Sequence, residues 1–310
     1  MGRIPSEMVK QIFEVWCRYA LMAEVSATPK PGLVDRHDSG AHTDMCFDTF
    51  AASTEAIVPF LVQMALTGYD WESPCTDGLF AAIRPVGVEA EHAMFAATHG
   101  VNTHKGMIFS MGIVAAAAGW YLRTYGHFCA EEILRLCGEI CYDTLEADFQ
   151  KIDRSHPNTH GEILFVTYGS RGIRGEVQNG FPSIRATSLP ALRKAMSDGL
   201  SDNAAYLNTL LALMAEVDDT NVLIRTSPAM LAYEKEAASQ ILAMGGASTK
   251  DGIHALQMLN QNFIKHNISP GGCADLLAVT ILLYKLEQQP FSALPPTDLQ
   301  QFSVQPQHIS

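Results

Sequence analysis

The chain has 310 residues, 47% of them hydrophobic and 17% charged, a balance that buries a substantial core and argues against disorder. Its formal net charge of −12 argues against a broad basic face for nucleic acid or an anionic membrane. Seven cysteines without a C-x-x-C pair indicate neither a disulfide framework nor a zinc knuckle, and fit a reducing, cytoplasmic setting.

Apolar residues recur at three-and-four spacing in nearly every segment, and alternating strand patterns are almost absent, so a single all-α domain over 1–287 is predicted. The first helix is expected at 7–25 on Ile12, Phe13, Trp16, Tyr19, Ala20 and Ala23. Two polar islands follow, Thr28-Pro29-Lys30-Pro31-Gly32-Leu33-Val34-Asp35 and Gly40-Ala41-His42-Thr43-Asp44-Met45. Helices at 47–67 and 85–98 precede the island Val101-Asn102-Thr103-His104-Lys105-Gly106. Asn102 or Thr103 can cap the next helix, 104–124, whose uncharged stretch from Gly106 to Leu122 is shorter than the ~20 residues of a membrane span and reads as core. Lys105 in that first turn opposes the helix dipole, a conflict that an anion would resolve.

After helices at 130–147 and 160–169, in which Ile163 to Tyr168 could equally be a strand, the segment Gly169–Glu176 is too glycine-rich for a stable helix. It reads as a loop whose Arg171 and Arg174 match phosphate oxygens. Helices at 188–198 and 202–216 lead to Asp218-Asp219-Thr220-Asn221, and helices at 229–244 and 250–264 lead to Asn267-Ile268-Ser269-Pro270-Gly271-Gly272. The last helix, 273–287, opens behind Ser269, Gly271 and Gly272, an arrangement suited to an anion as well as to plain capping. Residues 288–310, rich in Gln and Pro, read as a mobile tail.

Singly, each island has an ordinary reading as a cap, a turn or a surface loop. Together they concentrate cations (Lys30, Arg36, Arg84, Lys105, Arg171, Arg174, Arg225) in an acidic protein, which fits a phosphorylated small molecule. Carboxylates recur beside them, and Asp residues are the usual oxygen ligands that hold Mg2+ against phosphates. His37-Asp38 suggests the dyad of helical metal-dependent phosphohydrolases, without a clear second His and Asp. No P-loop, nucleophile elbow or Rossmann fingerprint occurs.

In their order, the islands resemble the triphosphoribosyl-dephospho-CoA synthase family. The match runs from Thr28–Asp35 through Gly40-Ala41-His42 with Asp44-Met45, Arg84-Pro85 with Gly87, Val101–Gly106, and Arg174-Gly175-Glu176 with Gly180-Phe181-Pro182. It continues through Asp219-Thr220-Asn221 with Arg225 and Asn267–Gly272 with Ala274-Asp275-Leu276-Leu277. The resemblance implies an all-α enzyme in which the ribose 2′-hydroxyl of 3′-dephospho-CoA attacks the anomeric carbon of ATP, expelling adenine and keeping the triphosphate. Its product would be the prosthetic-group precursor for the acyl carrier protein of citrate lyase or malonate decarboxylase. Homodimerisation is left open.

That chemistry builds positive charge on the ribose and moves two protons. It implies Asp44 or Glu176 as base or cation stabiliser, and His42 or His104 in proton transfer. Lys30, Arg84, Asn102, Lys105, Arg171, Arg174, Asn221, Arg225, Ser269, Gly271 and Gly272 would hold the substrates, and Asp35, Asp219 and Asp275 would hold Mg2+. Thr43, Cys273 and Thr226-Ser227-Pro228 depart from residues common in the family. The competing readings are a metal-dependent phosphohydrolase, using His37-Asp38 and Asp218-Asp219, and a nucleotide-binding helical protein without turnover.

Overall fold

The computed structural model describes residues 4–291 and 293–295. Its central helix, α4 (Lys105–Tyr125), is buried along nearly its whole length, including the unbroken run Ile113 to Leu122. Helix α2 (Phe47–Tyr69) packs against it through small residues. A Cβ on Gly68 would stand 1.9 Å from the Ala116 carbonyl oxygen, and one on Gly119 2.0 Å from that of Ala65. The two backbones therefore touch, and any side chain at either glycine must push them apart. Gly119→Val is expected to cost about 1–3 kcal/mol or more, whereas Gly161→Ala, where an added Cβ meets nothing within 4 Å, should be neutral or stabilising. Urea unfolding midpoints of the two variants check the contrast.

Around this pair pack α1 (Ser6–Ser26), α3 (Leu79–Ala97) and α5 (Ala130–Gln150). The second half contains α6 (His160–Tyr168), α7 (Gly172–Gln178), α8 (Leu189–Ser197), entered by a π turn, α9 (Asp202–Glu216), α10 (Thr220–Arg225), α11 (Pro228–Ala243), α12 (Lys250–His266) and α13 (Gly271–Glu287). Helix α13 joins the halves: it contacts α1 and α4 on one side and α9 and α8 on the other. Among the described residues there is no strand, as the missing alternation required.

One open alternative is decided and two local expectations change. The ambiguous Ile163 to Tyr168 is helical, because Thr159 accepts from Glu162 N at 3.2 Å while the Glu162 carboxylate returns to Thr159 N at 3.3 Å, a capping box. Helix α3 starts at Leu79 rather than 85, since buried Leu79 and Phe80 anchor a turn ahead of Pro85. Gly169–Glu176 is not all loop: α7 forms because Gly175, Val177 and Gln178 are buried, and Gly138 of α5 lets the Gln178 backbone approach, its oxygen 3.1 Å from where a Cβ would be. Packing overrides glycine's poor helix propensity there.

The beginning of the C-terminal tail packs. Trp16 Nε1 donates to Gln289 Oε1 at 2.8 Å, and the Phe291 ring lies 5.6 Å from that of Phe128. Residue 292 and residues 296–310 lie outside the described residues. By length and composition α2 and α4 could each cross a membrane, but 83% of the apolar window of α4 is buried inside the fold.

Candidate active site

A cavity of about 550 Å3 opens where α1, α4, α7, α10 and α13 converge with the loop that follows α1. That loop is organised by Asp35, whose carboxylate accepts from Lys30 N (3.0 Å), His37 N (2.7 Å), Asp38 N (3.1 Å) and the Thr28 hydroxyl (2.8 Å). Asp38 in turn accepts from Asn260 Nδ2 at 2.8 Å, and Asn260 Oδ1 accepts from Gly32 N at 2.8 Å. The His37-Asp38 pair is thus part of a loop brace, with Asp35 outside the cavity wall. The brace turns Lys30 inward, where its ammonium pairs with Glu24; they are 1% and 3% exposed. Burial raises the Glu24 pKa more than Lys30 lowers it.

The start of α4 supplies a second wall. Thr103 donates to the Ser53 hydroxyl at 2.7 Å, and Ser53 lies 2.6 Å from His104 Nδ1. Because Ser53 is fully buried, its own proton is satisfied only at Nδ1, which assigns the imidazole proton to Nε2. Nε2 has no partner among the described residues. Burial, with Lys30 nearby, lowers the His104 pKa to about 3, so the ring is neutral. Asn102 Oδ1 accepts from Lys105 N at 3.2 Å, while the Lys105 ammonium finds Glu91 at 2.9 Å. The conflict expected at Lys105 is therefore relieved by a carboxylate of the protein itself.

Helix α13 meets α4 at Gly106, where a Cβ would lie 2.3 Å from Asp275 Oδ2. Asp275 makes no hydrogen bond among the described residues, and its pKa is pushed well above the carboxylate range by burial and by Glu24 and Asp219. Asp219 caps two helices at once. Its Oδ1 accepts from Asn221 N (2.8 Å) and Val222 N (3.4 Å), and its Oδ2 from Cys273 N (2.8 Å). His42 Nε2 meets the Ser269 hydroxyl at 2.8 Å. Burial and Arg225 depress the His42 pKa against the pull of Asp44. Arg225 is held by the Ala41 carbonyl at 2.7 Å and by Asn267.

Glu176 of α7 closes the far side. It accepts from the Ser183 hydroxyl at 2.7 Å and from Ser183 N at 3.2 Å, yet burial still raises its pKa. Arg171 lines the wall, but its guanidinium is spent on Glu146 (2.6 Å), Gln178 (2.6 Å) and the face of Phe149.

The cavity thus gathers Lys30, His42, Asn102, His104, Lys105, Arg171, Glu176, Asp219, Asn221, Arg225, Ser269, Gly271, Gly272 and Asp275. Four sequence candidates stand outside its lining: Asp35 in the brace, Asp44 on the exposed rim, Arg174 in solvent, and Arg84, which pairs with Asp148 of α5 at 2.8 Å. Sequence reasoning missed Ser53, Ser183 and Glu234. Each sits within or beside an ordinary helix and acquires meaning only from its neighbour in space. Glu234 is 0% exposed, with no partner for either carboxylate oxygen among the described residues, and burial and Asp219 push its pKa to about 9.

A sequence model of the family described as "ATP:dephospho-CoA triphosphoribosyl transferase" matches residues 12–291. A "Probable 2-(5''-triphosphoribosyl)-3'-dephosphocoenzyme-A synthase" of Vibrio cholerae serotype O1 (strain M66-2) is 42% identical over 274 residues, covering 87% of this chain and 86% of the relative. The 2-(5''-triphosphoribosyl)-3'-dephosphocoenzyme-A synthases of Pectobacterium atrosepticum and Klebsiella pneumoniae are 40% and 38% identical, covering 86% and 85% of this chain and 86% and 87% of those proteins. No solved structure matches. With both the family model and these relatives spanning the cavity-forming helices, the chain belongs to the ATP:dephospho-CoA triphosphoribosyl transferase family and is a transferase.

Proposed function

We propose that the chain transfers the 5-triphosphoribosyl group of ATP to the 2′-hydroxyl of 3′-dephospho-CoA. The new bond joins that oxygen to C1′ of the ATP ribose. The bond from C1′ to adenine breaks, and adenine leaves with its electron pair and takes up a proton. The observation that carries this reading is the convergence of the polar islands on one cavity that combines anion-binding helix starts with a half-buried carboxylate, Glu176.

In this reading the triphosphate lies against the first turns of α4 and α13, at the positive ends of their dipoles. Arg225 adds positive charge. Leu33, Val34, Met45, Phe50 and Met107 form the apolar part of the wall and suit the purine. His104, fixed as a neutral donor, steadies the base or its leaving nitrogen but takes no proton. Glu176, with its raised pKa, accepts the hydroxyl proton, and its charge favours the oxocarbenium-like ribose.

Magnesium would neutralise triphosphate charge. Among the described residues Asp275 makes no hydrogen bond and faces the start of α4, which makes it the candidate to hold the ion, whereas Asp35 lies outside the lining with its carboxylate filled by local donors. Asp275→Asn is expected to raise the magnesium concentration for half-maximal adenine release by ~10-fold or more, read from a metal titration at saturating substrates.

Incubation with ATP, magnesium and 3′-dephospho-CoA, followed by chromatography and mass spectrometry, tests the reaction. Adenine matched by a triphosphoribosyl adduct of dephospho-CoA is expected. Phosphate without adenine would favour a hydrolase, and saturable ATP binding without product a sensor. The product would serve as prosthetic-group precursor for an acyl carrier protein, of a citrate lyase or a malonate decarboxylase.

A further inference from the structure

We propose that Asp219, Glu234 and Cys273 form a site for one divalent transition-metal ion of the zinc class, set behind the cavity wall and separate from magnesium at the triphosphate. One ligand atom from each residue lies within 4.8 Å of the other two, and all three residues are buried. Donors around an ion at about 2.0–2.3 Å stand up to roughly 4 Å apart, so small side-chain rotations would close the triad.

Glu234 points to an ion most directly. It comes from α11, is fully buried, and leaves both carboxylate oxygens without a hydrogen-bond partner among the described residues. Such a group is costly unless a proton or a cation satisfies it. Among the described residues no cation bonds to it: the ammonium of neighbouring Lys235 donates to the Glu216 carbonyl at 3.1 Å and to Asp218 at 2.5 Å instead. By contrast Cys129, Glu131 and Glu287, which also cluster, already have Arg193 bound to both carboxylates at 2.5 and 2.6 Å.

The triad has further features of a cation site. Two carboxyls and a thiol are buried together within one cluster. Cys273 lies in the first turn of α13, where the helix dipole favours thiolate. Asp219 Oδ2 accepts from Cys273 N at 2.8 Å, and the Cys273 thiol also donates to the Asp219 carboxylate, a proton that an ion bridging the two would replace. Gly272 lets the Asp219 carboxylate pack closely against the start of α13, since a Cβ there would stand 3.0 Å from Asp219 Oδ2.

A sulfur with two carboxylates selects zinc or cobalt over magnesium or calcium, which take oxygen ligands. Binding displaces the thiol proton of Cys273 and the carboxyl proton of Glu234 to solvent. The site is independent of the transfer reaction, because it is read by metal binding alone.

The test strips the full-length protein with chelator, loads Co2+, removes excess by desalting and records the absorption spectrum and metal content. One cobalt per chain with a thiolate-to-cobalt charge-transfer band is expected, displaced by Zn2+. Cys273→Ser, a near-isosteric change, should abolish the band and weaken cobalt affinity at least ~10-fold. Glu234→Gln should lower cobalt content while Asp218→Asn leaves it unchanged. Substoichiometric cobalt in the folded wild-type protein overturns the assignment without recourse to any variant. So does a band that survives Cys273→Ser, which would place the ion on another cysteine, such as exposed Cys46 or Cys75.

Discussion

Glu176→Gln is expected to lower the rate of adenine release by about 10²–10⁴-fold, the usual loss when a positioned general base is removed. The glutamine oxygen can still accept from Ser183 N while its amide donates to the Ser183 hydroxyl oxygen, so α7 and the turn after it should hold their geometry and substrate binding should change little. The pH profile carries the sharper test. Burial lifts the Glu176 pKa above the ordinary carboxylate value, and the base works only when ionised. Activity of the wild-type enzyme should therefore fall as pH drops through that raised value, giving an acid limb above the range of an exposed glutamate. In the Gln variant the residual rate should lose this limb. Single-turnover adenine release across pH separates the outcomes: an unchanged limb in the variant would move the base to another residue.

Helix positions were legible because the three-and-four apolar pattern is strong in long segments such as α1 and α9, and because the uncharged run of α4 is long enough for a wholly buried helix. The short α7 and α10 were not. Glycines in α7 argue for a loop until Gly138 of α5 offers it a surface. Helix α10 exists because one carboxylate, Asp219, gathers its first N–H groups. The site shows the same division. Islands at helix starts can be read from chain-bending and polar residues, and the structure brings most of them to one cavity. What the sequence withholds is the use of each charge. Arg84, Arg171 and Lys105 look alike as phosphate ligands, yet each has a carboxylate partner supplied by a distant turn or helix. Asp35 looks like a metal ligand, and four local donors make it a brace.

Lys30→Met should cost about 3–5 kcal/mol of stability at neutral pH, the usual cost of removing one partner from a buried ion pair. The methionine side chain can fill much of the space, so the loss comes from charge more than from volume. Glu24 would remain 3% exposed without its counter-ion, near Asp35 and Asp275, both of which share its sign. Its pKa is already raised in the native protein and would rise further without Lys30. A carboxyl with a native pKa above its unfolded value binds its proton more tightly when folded, so stability is lost as pH rises through the native value. The penalty of Lys30→Met should accordingly shrink towards acid pH, as both folded and unfolded chains carry the proton, and grow towards neutrality. The double variant Glu24→Gln/Lys30→Met removes both charges and should recover much of the loss, since the difficulty lies in an unpaired charge rather than in a missing attraction. Urea unfolding of the two single variants and the double, at acid and neutral pH, measures the coupling. Additive losses with no pH dependence would mean that Lys30 stabilises the loop through packing, and that the pair contributes nothing as a pair.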